Sequence, residues 1–523
     1  MLTSASFSVG FSFSGFIVPP RTSPILPIFT PRRVTAWKTH LVRSNPPAPT
    51  TDAANPLSPG TQVVLDAHAR FLSPGLLAGG SPWRLVHVPI RSREILHSWR
   101  SPGVVDETSG GLARQLVNQG FLHPITTAVR TVDDVTIIIP VHNDIPGLSR
   151  TLRSFGFPRV IVVDDASDIP VTLTDEISSV IRHEINRGPA AARNSGLAAA
   201  TTPFVLFVDA NITTHDAHLL VATLRQHFDD PMVAAVAPRV VGLNTGGPRG
   251  SFEEQFSPLD LGALSSVVVP HGRVSYVPSA CMLVRRDALG QGFDEELRRG
   301  EDVDLVWRLH DAGWLVRYDA SVTVQHPPRD SWPEWLAQRH GYGRSAGPLA
   351  RRHPTRLSPV GGDLWTTGSL LALLFGQKKL AVTISAMAQR LLREQLPEEF
   401  ADNDQLVRDI VLRGAWQSAG PLARGVVRAF GPLLFAAAVL KILRRPALVL
   451  LVVGTLWRFR GSRPNSALHL PLAMVDDAAY ATGVWRGSWE SRTFLPVTPR
   501  ITGWQRAASG LRSLLTQRER PSL

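Results

Sequence analysis

The middle of the chain is built on short apolar runs that end in acids. Val205-Leu206-Phe207-Val208 is apolar throughout and is followed at once by Asp209-Ala210-Asn211. A run of that length without polar alternation predicts a strand buried on both faces, as in a parallel sheet. Val160-Ile161-Val162-Val163 ends in the same way, in Asp164-Asp165. The stretch from Val135 to Val141 predicts a further buried strand, stopped at Pro140 because proline has no N–H to give a ladder. After it, Leu148, Leu152 and Phe155 recur at helical spacing, so a helix should lay that face on the sheet. Strand, helix, strand with acids at the second strand's end is the opening of a nucleotide-binding α/β unit, whose ligands lie outside the carboxyl edge of the sheet. On this reading Asp209 floors the site. Taken alone, a strand-end acid is equally explained as the cap of the next turn.

The same patterning divides the rest of the chain. Residues 1–60 read as a disordered leader and linker: Pro19, Pro20, Pro24, Pro27 and Pro31 would break an amphipathic helix, and no basic residue precedes Arg21. Residues 61–131 form a small unit in which Gly79-Gly80-Ser81-Pro82 turns into a short strand over Leu85, Val86 and Val88. A helix through Leu112, Leu116 and Val117 should end at Gly120. Residues 132–345 form the α/β domain. In it, Val303, Leu305, Val306 and Leu309 mark a helix ended by Gly313, and Ser321–Gln325 looks like a strand leading to His326. Residues 346–523 carry three apolar runs, 365–375, 430–440 and 446–457, each near a dozen residues and short of the roughly 20 that span a bilayer. With Lys441, Arg444 and Arg445 between the last two, they read as interfacial or re-entrant helices on an anionic membrane surface. A joined span over 430–457, or three core helices, is the alternative.

Composition narrows the chemistry. The formal charge of +12 suits phosphorylated substrates, anionic lipid or nucleic acid. Cys281 is the sole cysteine, so intramolecular disulfides and multi-thiolate metal sites are excluded. Neither a Gly-x-Gly-x-x-Gly nor a Walker A loop follows the first strands, which argues against a dinucleotide dehydrogenase and a P-loop enzyme. Phosphate contacts must come from elsewhere, and Asn186-Arg187-Gly188 leading into an Ala-rich segment with Arg193 offers a turn and a fixed cation. Arg193 on a solvated helix face is the competing reading.

Five blocks occur in a telling order: Pro140-Val141-His142-Asn143, Val163-Asp164-Asp165-Ala166-Ser167, Asn186-Arg187-Gly188 through Asn194-Ser195-Gly196, Val208-Asp209-Ala210-Asn211, and Gly292-Phe293-Asp294 with Gly300-Glu301-Asp302. In that order and spacing, over about 200 residues, they resemble the family 2 glycosyltransferases of GT-A fold. The resemblance implies that Asp165 accepts from a uracil N–H, that His142 lies beside the base, that Arg193 contacts the nucleotide, and that Asp209 serves ribose and a divalent metal, Mg²⁺ or Mn²⁺. The chain departs from the family at Asn211, where a second aspartate is usual; His326 is the candidate extra metal ligand. Asp302, in the first turn of its helix, is the expected base, ionised by the positive helix end, in a single inverting displacement. Glu301 and Asp304 are alternatives. Arg339, in the aromatic and basic stretch after His326, is assigned to the diphosphate or the acceptor.

The whole arrangement is similar to the mycofactocin system glycosyltransferases. The likeness is carried by Gly79-Gly80-Ser81-Pro82, Val208-Asp209-Ala210-Asn211 and Gly341-Tyr342-Gly343-Arg344-Ser345-Ala346. It implies a front unit of the winged-helix-like PqqD type that binds peptide, a UDP-sugar donor with glucose as the sugar, a peptide-derived acceptor and no nucleic acid. Its expected location is the cytoplasmic face of the cell membrane, peripheral or shallowly inserted. A cell-envelope polysaccharide or glycolipid transferase and an inactive sugar-nucleotide-fold scaffold are the alternatives.

Overall fold

A computed structural model describes residues 55–125, 132–460 and 468–502, so the expectations for residues 1–54 lie outside the described chain. The centre is an eight-stranded sheet in the spatial order Ser266–Val267, Leu315–His326, Val233–Gly242, Cys281–Arg285, Phe204–Val208, Val135–Val141, Val160–Asp164, Ser179–Arg182. Val135–Val141 pairs in parallel with Phe204–Val208 on one side and with Val160–Asp164 on the other. The chain first builds outward through Val160–Asp164 and Ser179–Arg182, then returns to the opposite flank at Phe204–Val208. That reversal is the switch point where the loops leaving adjacent strands diverge and open a crevice. The sheet is mixed: Cys281–Arg285 runs antiparallel to both its neighbours. Ile137, Ile138, Ile139, Val205, Leu206 and Phe207 are fully buried, which explains why neither strand shows alternation.

The first strand passes Pro140 and ends at Val141. Its ladder to Phe204–Val208 stops at Ile138, and Pro140 faces that side, so its missing N–H leaves no partner unbonded. The expected helix runs Ile145–Phe155 with Leu148, Leu152 and Phe155 buried. Asp144 caps it by accepting from the Gly147 N–H at 2.8 Å, and Gly156 ends it in the left-handed region.

The front unit holds six short strands in two three-stranded sheets and two nine-residue helices, Ile90–Ser98 and Gly110–Asn118. This is more strand than the patterning implied, because four-residue strands such as Arg70–Ser73 are too short and too exposed to leave a period. The Gly79–Pro82 turn docks the unit on the central domain: Ser81 Oγ accepts from the Arg273 N–H at 3.0 Å, and a side chain at Gly272 would strike that oxygen. Arg273 also bonds Asp66 at 2.7 Å, and Arg114 bonds Asp230 at 2.6 Å.

The C-terminal region is helical but cut differently from the apolar runs. The 430–440 run is the end of a 36-residue helix, Asp404–Val439, and a turn separates it from Arg444–Arg458, so no joined 430–457 helix forms. Asp404–Val439 is, among the described residues, the helix long and apolar enough to cross a membrane. Its midsection is nevertheless committed to protein, since Pro421, Ala423, Arg424 and Val427 are buried. The helix Leu470–Glu490 closes on Trp332–Arg344 at glycines. A Cβ on Gly343 would lie 2.1 Å from the Tyr480 carbonyl oxygen, and one on Gly483 would lie 2.0 Å from that of His340. The Gly341–Ala346 motif is therefore what lets the last long helix fuse to the central domain.

Candidate active site

The carboxyl edge of the sheet opens into a cavity of about 1010 Å³. Its wall includes His142, Asp165, Arg193, Asp209, Asn211, Asp302 and His326, residues scattered over 185 positions of sequence that the switch point gathers. The loop after Phe204–Val208 is held down twice. Asp209 N–H donates to the Ala280 carbonyl at 2.8 Å, and Thr213 exchanges both backbone hydrogen bonds with Gln325. The second clamp brings His326 to the Asp209–Asn211 loop.

Asp165 is buried and already accepts three hydrogen bonds: from Arg187 N–H at 2.9 Å, Gly188 N–H at 2.7 Å and His183 Nδ1 at 2.7 Å. It builds the 186–188 turn as well as facing the cavity, a role the sequence did not indicate. A carboxylate offers about four lone-pair sites, so one is left for a ligand N–H. His183 continues to Ser195 Oγ at 2.9 Å, and His142 Nδ1 bonds the Asp165 carbonyl at 2.8 Å. This side of the cavity wall is thus one connected network.

Arg193 differs from its expected use. It is buried, with one Nη donating to Asp209 at 2.7 Å and the other to Glu301 at 2.9 Å. Burial works against its charge, but Asp209 and Glu301 outweigh burial and hold the guanidinium above its ordinary range. It is neither a solvated helix-face residue nor a free clamp for a diphosphate; it fixes the direction of Asp209. Arg339 is a plainer correction. It does not line the cavity: it is buried against Glu253 and lies 2.8 Å from Asp476. Its charge is spent joining the catalytic domain to the C-terminal helices.

Asp302 faces the cavity yet is surrounded by protein. One oxygen accepts from the Val303 N–H at 2.8 Å and the other from the Ser279 N–H at 3.3 Å. Burial, reinforced by the adjacent Glu301, pushes its carboxyl up to about 7. The expectation that the helix end keeps it fully ionised fails because desolvation and a like charge exceed the help of the first turn. The other candidate bases are engaged: Glu301 with Arg193, and Asp304, outside the cavity wall, with Arg308 and His353 at 2.8 Å each.

At the metal position Asp209 is one-third exposed, while the Asn211 side-chain oxygen is buried with no hydrogen-bond partner. Burial lowers His326 to about 4, an effect the Asp209 charge only partly offsets, so its ring is neutral and able to donate to a metal at physiological pH. Among the described residues no cluster of three or more His, Cys, Asp or Glu could hold a metal ion. The neutral Asn211 oxygen stands outside that count.

Comparison with known proteins decides the family. The model of glycosyl transferase family 2 matches residues 136–293. The pre-mycofactocin glycosyltransferases of two Mycobacterium tuberculosis strains, CDC 1551 and H37Rv, are each 39% identical over 471 residues, covering 86% of this chain and 99% of theirs. The chain belongs to the mycofactocin-system glycosyltransferases of family 2. It is thus a glycosyltransferase, with the mixed α/β, GT-A-like domain of that family. The succinoglycan biosynthesis protein ExoU of Rhizobium meliloti is 27% identical over 211 residues, 34% of this chain and 56% of its own. Among solved structures, a Pyrobaculum calidifontis mannosyltransferase in complex with GDP-Man and Mn²⁺ aligns over 68% of this chain and 87% of its own, at 17% identity and TM-score 0.36. The fold brings every site residue expected from the sequence except Arg339 to one cavity wall. What patterning missed were the partners, Glu301 for Arg193 at 108 positions and His183 for Asp165 at 18, since a pair joining separate elements leaves no spacing to read.

Proposed function

We propose that this enzyme moves a hexose, glucose by resemblance, from a uridine-diphosphate sugar to the mycofactocin precursor with inversion. The observation that carries the reading is Asp302, a carboxyl held near neutrality in the wall of the cavity that the switch point opens. A base poised near the working pH accepts a proton best. Asp302 takes the acceptor hydroxyl's proton as that oxygen bonds to the anomeric carbon, and the bond to the diphosphate breaks with its electron pair leaving on UDP. Asp165 and His142 hold the base, and Arg193 aims Asp209 at the ribose. The full chain, incubated with UDP-glucose, divalent metal and the precursor, is expected to release UDP and to add one hexose mass per transfer. No UDP from any UDP-sugar would overturn the reading.

Asp209, Asn211 and His326 fit a divalent cation, Mg²⁺ or Mn²⁺: a one-third-exposed carboxylate, an orphaned amide oxygen and a neutral imidazole. When bound, such an ion supplies positive charge against the departing diphosphate. Asn211→Asp restores the family's usual pair of carboxylates and is expected to lower the metal concentration for half-maximal rate roughly tenfold, since ligand charge sets affinity. An unchanged metal titration would remove Asn211 from the ligand set.

The front unit is proposed as the holder of a peptide-derived acceptor, on its likeness to PqqD-type units. Association with the cytoplasmic membrane face is proposed from one apolar surface: Val439, Leu440, Ile442, Val449, Val452 and Leu456 are exposed beside Lys441, Arg444 and Arg445. Full-length protein should co-sediment with vesicles containing anionic lipid, weakly at high salt, and Ile442→Glu should lower the bound fraction several-fold. Equal recovery in the supernatant with and without vesicles would discard this surface.

A further inference from the structure

Three of the chain's four tyrosines, Tyr276, Tyr342 and Tyr480, line the cavity. The fourth, Tyr318, is buried elsewhere and donates its phenol to the Gly262 carbonyl at 2.6 Å, as a structural tyrosine should. Among the described residues the three cavity phenols have no hydrogen-bond partner, although each ring is half-buried. None of the three phenol oxygens is shut off from the cavity, so all three are available to a molecule that enters it.

All three share the cavity wall with Asp302. The charge of Asp302 acts on both Tyr276 and Tyr342, and Tyr276 also feels Arg428, Tyr480 and Tyr342. Neither Asp165 nor Asp209 is among the charges acting most strongly on Tyr276 or Tyr342. The Arg428 guanidinium lies 4.1 Å over the Tyr480 ring and orients it. Pro421, on the helix that carries Arg428, and Trp457, on Arg444–Arg458, add apolar wall. Gly343, next to Tyr342, packs against the Tyr480 backbone, where no larger residue fits. Of the three, only Tyr276 falls within the family match of residues 136–293.

We propose that Tyr276, Tyr342 and Tyr480 form the acceptor subsite, completed by the C-terminal helices, and that it takes a ring-bearing, hydroxylated acceptor. The phenols bond the acceptor's hydroxyls, and the Tyr480 and Trp457 rings pack on its ring face, bringing one hydroxyl to Asp302. The ring has two possible sources: the acceptor's own, or a sugar already transferred to it. The proposal rests on the glycosyltransferase reading above, with Asp302 as base.

The test uses full-length Tyr276→Phe, Tyr342→Phe and Tyr480→Phe, which keep each ring and its packing. For the mycofactocin precursor and for its singly glycosylated product, KM should rise about three- to tenfold per variant, the worth of one hydrogen bond. A rise confined to one acceptor tells which ring the subsite holds. The dissociation constant of UDP-glucose, measured by titration calorimetry, should stay within about twofold of the parent. An unchanged acceptor KM in all three variants, or a donor affinity that weakens by the same factor, overturns the subsite. A parent enzyme that binds UDP-glucose and transfers to neither acceptor overturns the parent reading, and the subsite with it.

Discussion

Asp302→Asn lowers the rate of sugar transfer by about 10²- to 10⁴-fold, the contribution of a positioned general base. The direction of the accompanying pH effect follows from the raised carboxyl. With its titration at about 7, the parent's rate climbs with pH through neutrality as the carboxylate forms, and levels above it. The variant lacks that limb. Stability moves the opposite way: a group whose folded pKa lies above its ordinary value contributes stability below the usual carboxylate range and loses it as pH rises through about 7. The variant should therefore match the parent's thermal midpoint in acid and exceed it at pH values above neutrality. A rate profile flat through pH 7 in the parent, or a variant that retains transfer, removes Asp302 as the base. The separate stability readout shows whether lost activity reflects chemistry or unfolding.

Asp477→Ala destabilises the protein by about 3–5 kcal/mol, the cost of removing one partner from a buried ion-pair network. Asp477 is 6% exposed, on the helix Leu470–Glu490, and it serves two arginines. Arg424 grips it with both Nη groups, one at 2.6 Å, and Arg458 reaches it at 3.1 Å. The chain continues from Arg458 to Asp476 at 2.6 Å, on to Arg339 at 2.8 Å, and so to Glu253 in the catalytic domain. Without Asp477 Arg424 loses its carboxylate partner in the protein interior, while Arg458 keeps Asp476. The measurement is the denaturant midpoint, followed by tryptophan fluorescence since Trp457 and Trp485 lie on the helices involved. A midpoint within experimental error of the parent would show that these helices are not held by the network. Asp477→Asn, which keeps shape and one acceptor, should fall between the two.

The sequence by itself determined the strands and the acids at their ends. Unbroken apolar runs have few ways to be buried, and the order of the five blocks left one family. It likewise marked Asp209, Asn211 and Asp302, because each sits at the end of an element whose limits are local. Only the tertiary structure decided what those groups are. Asp302 titrates near neutrality because of burial and Glu301, against the helix-start effect that local reasoning favoured. Arg193 and Arg339 look alike along the chain, but one faces the site through Asp209 while the other is locked to Glu253 and Asp476. The three tyrosines around the base come from a loop and two helices up to 204 positions apart, so no spacing could have joined them. Strand limits are set by neighbours in sequence, whereas charge state and pairing are set by neighbours in space, and those exist once the chain has folded.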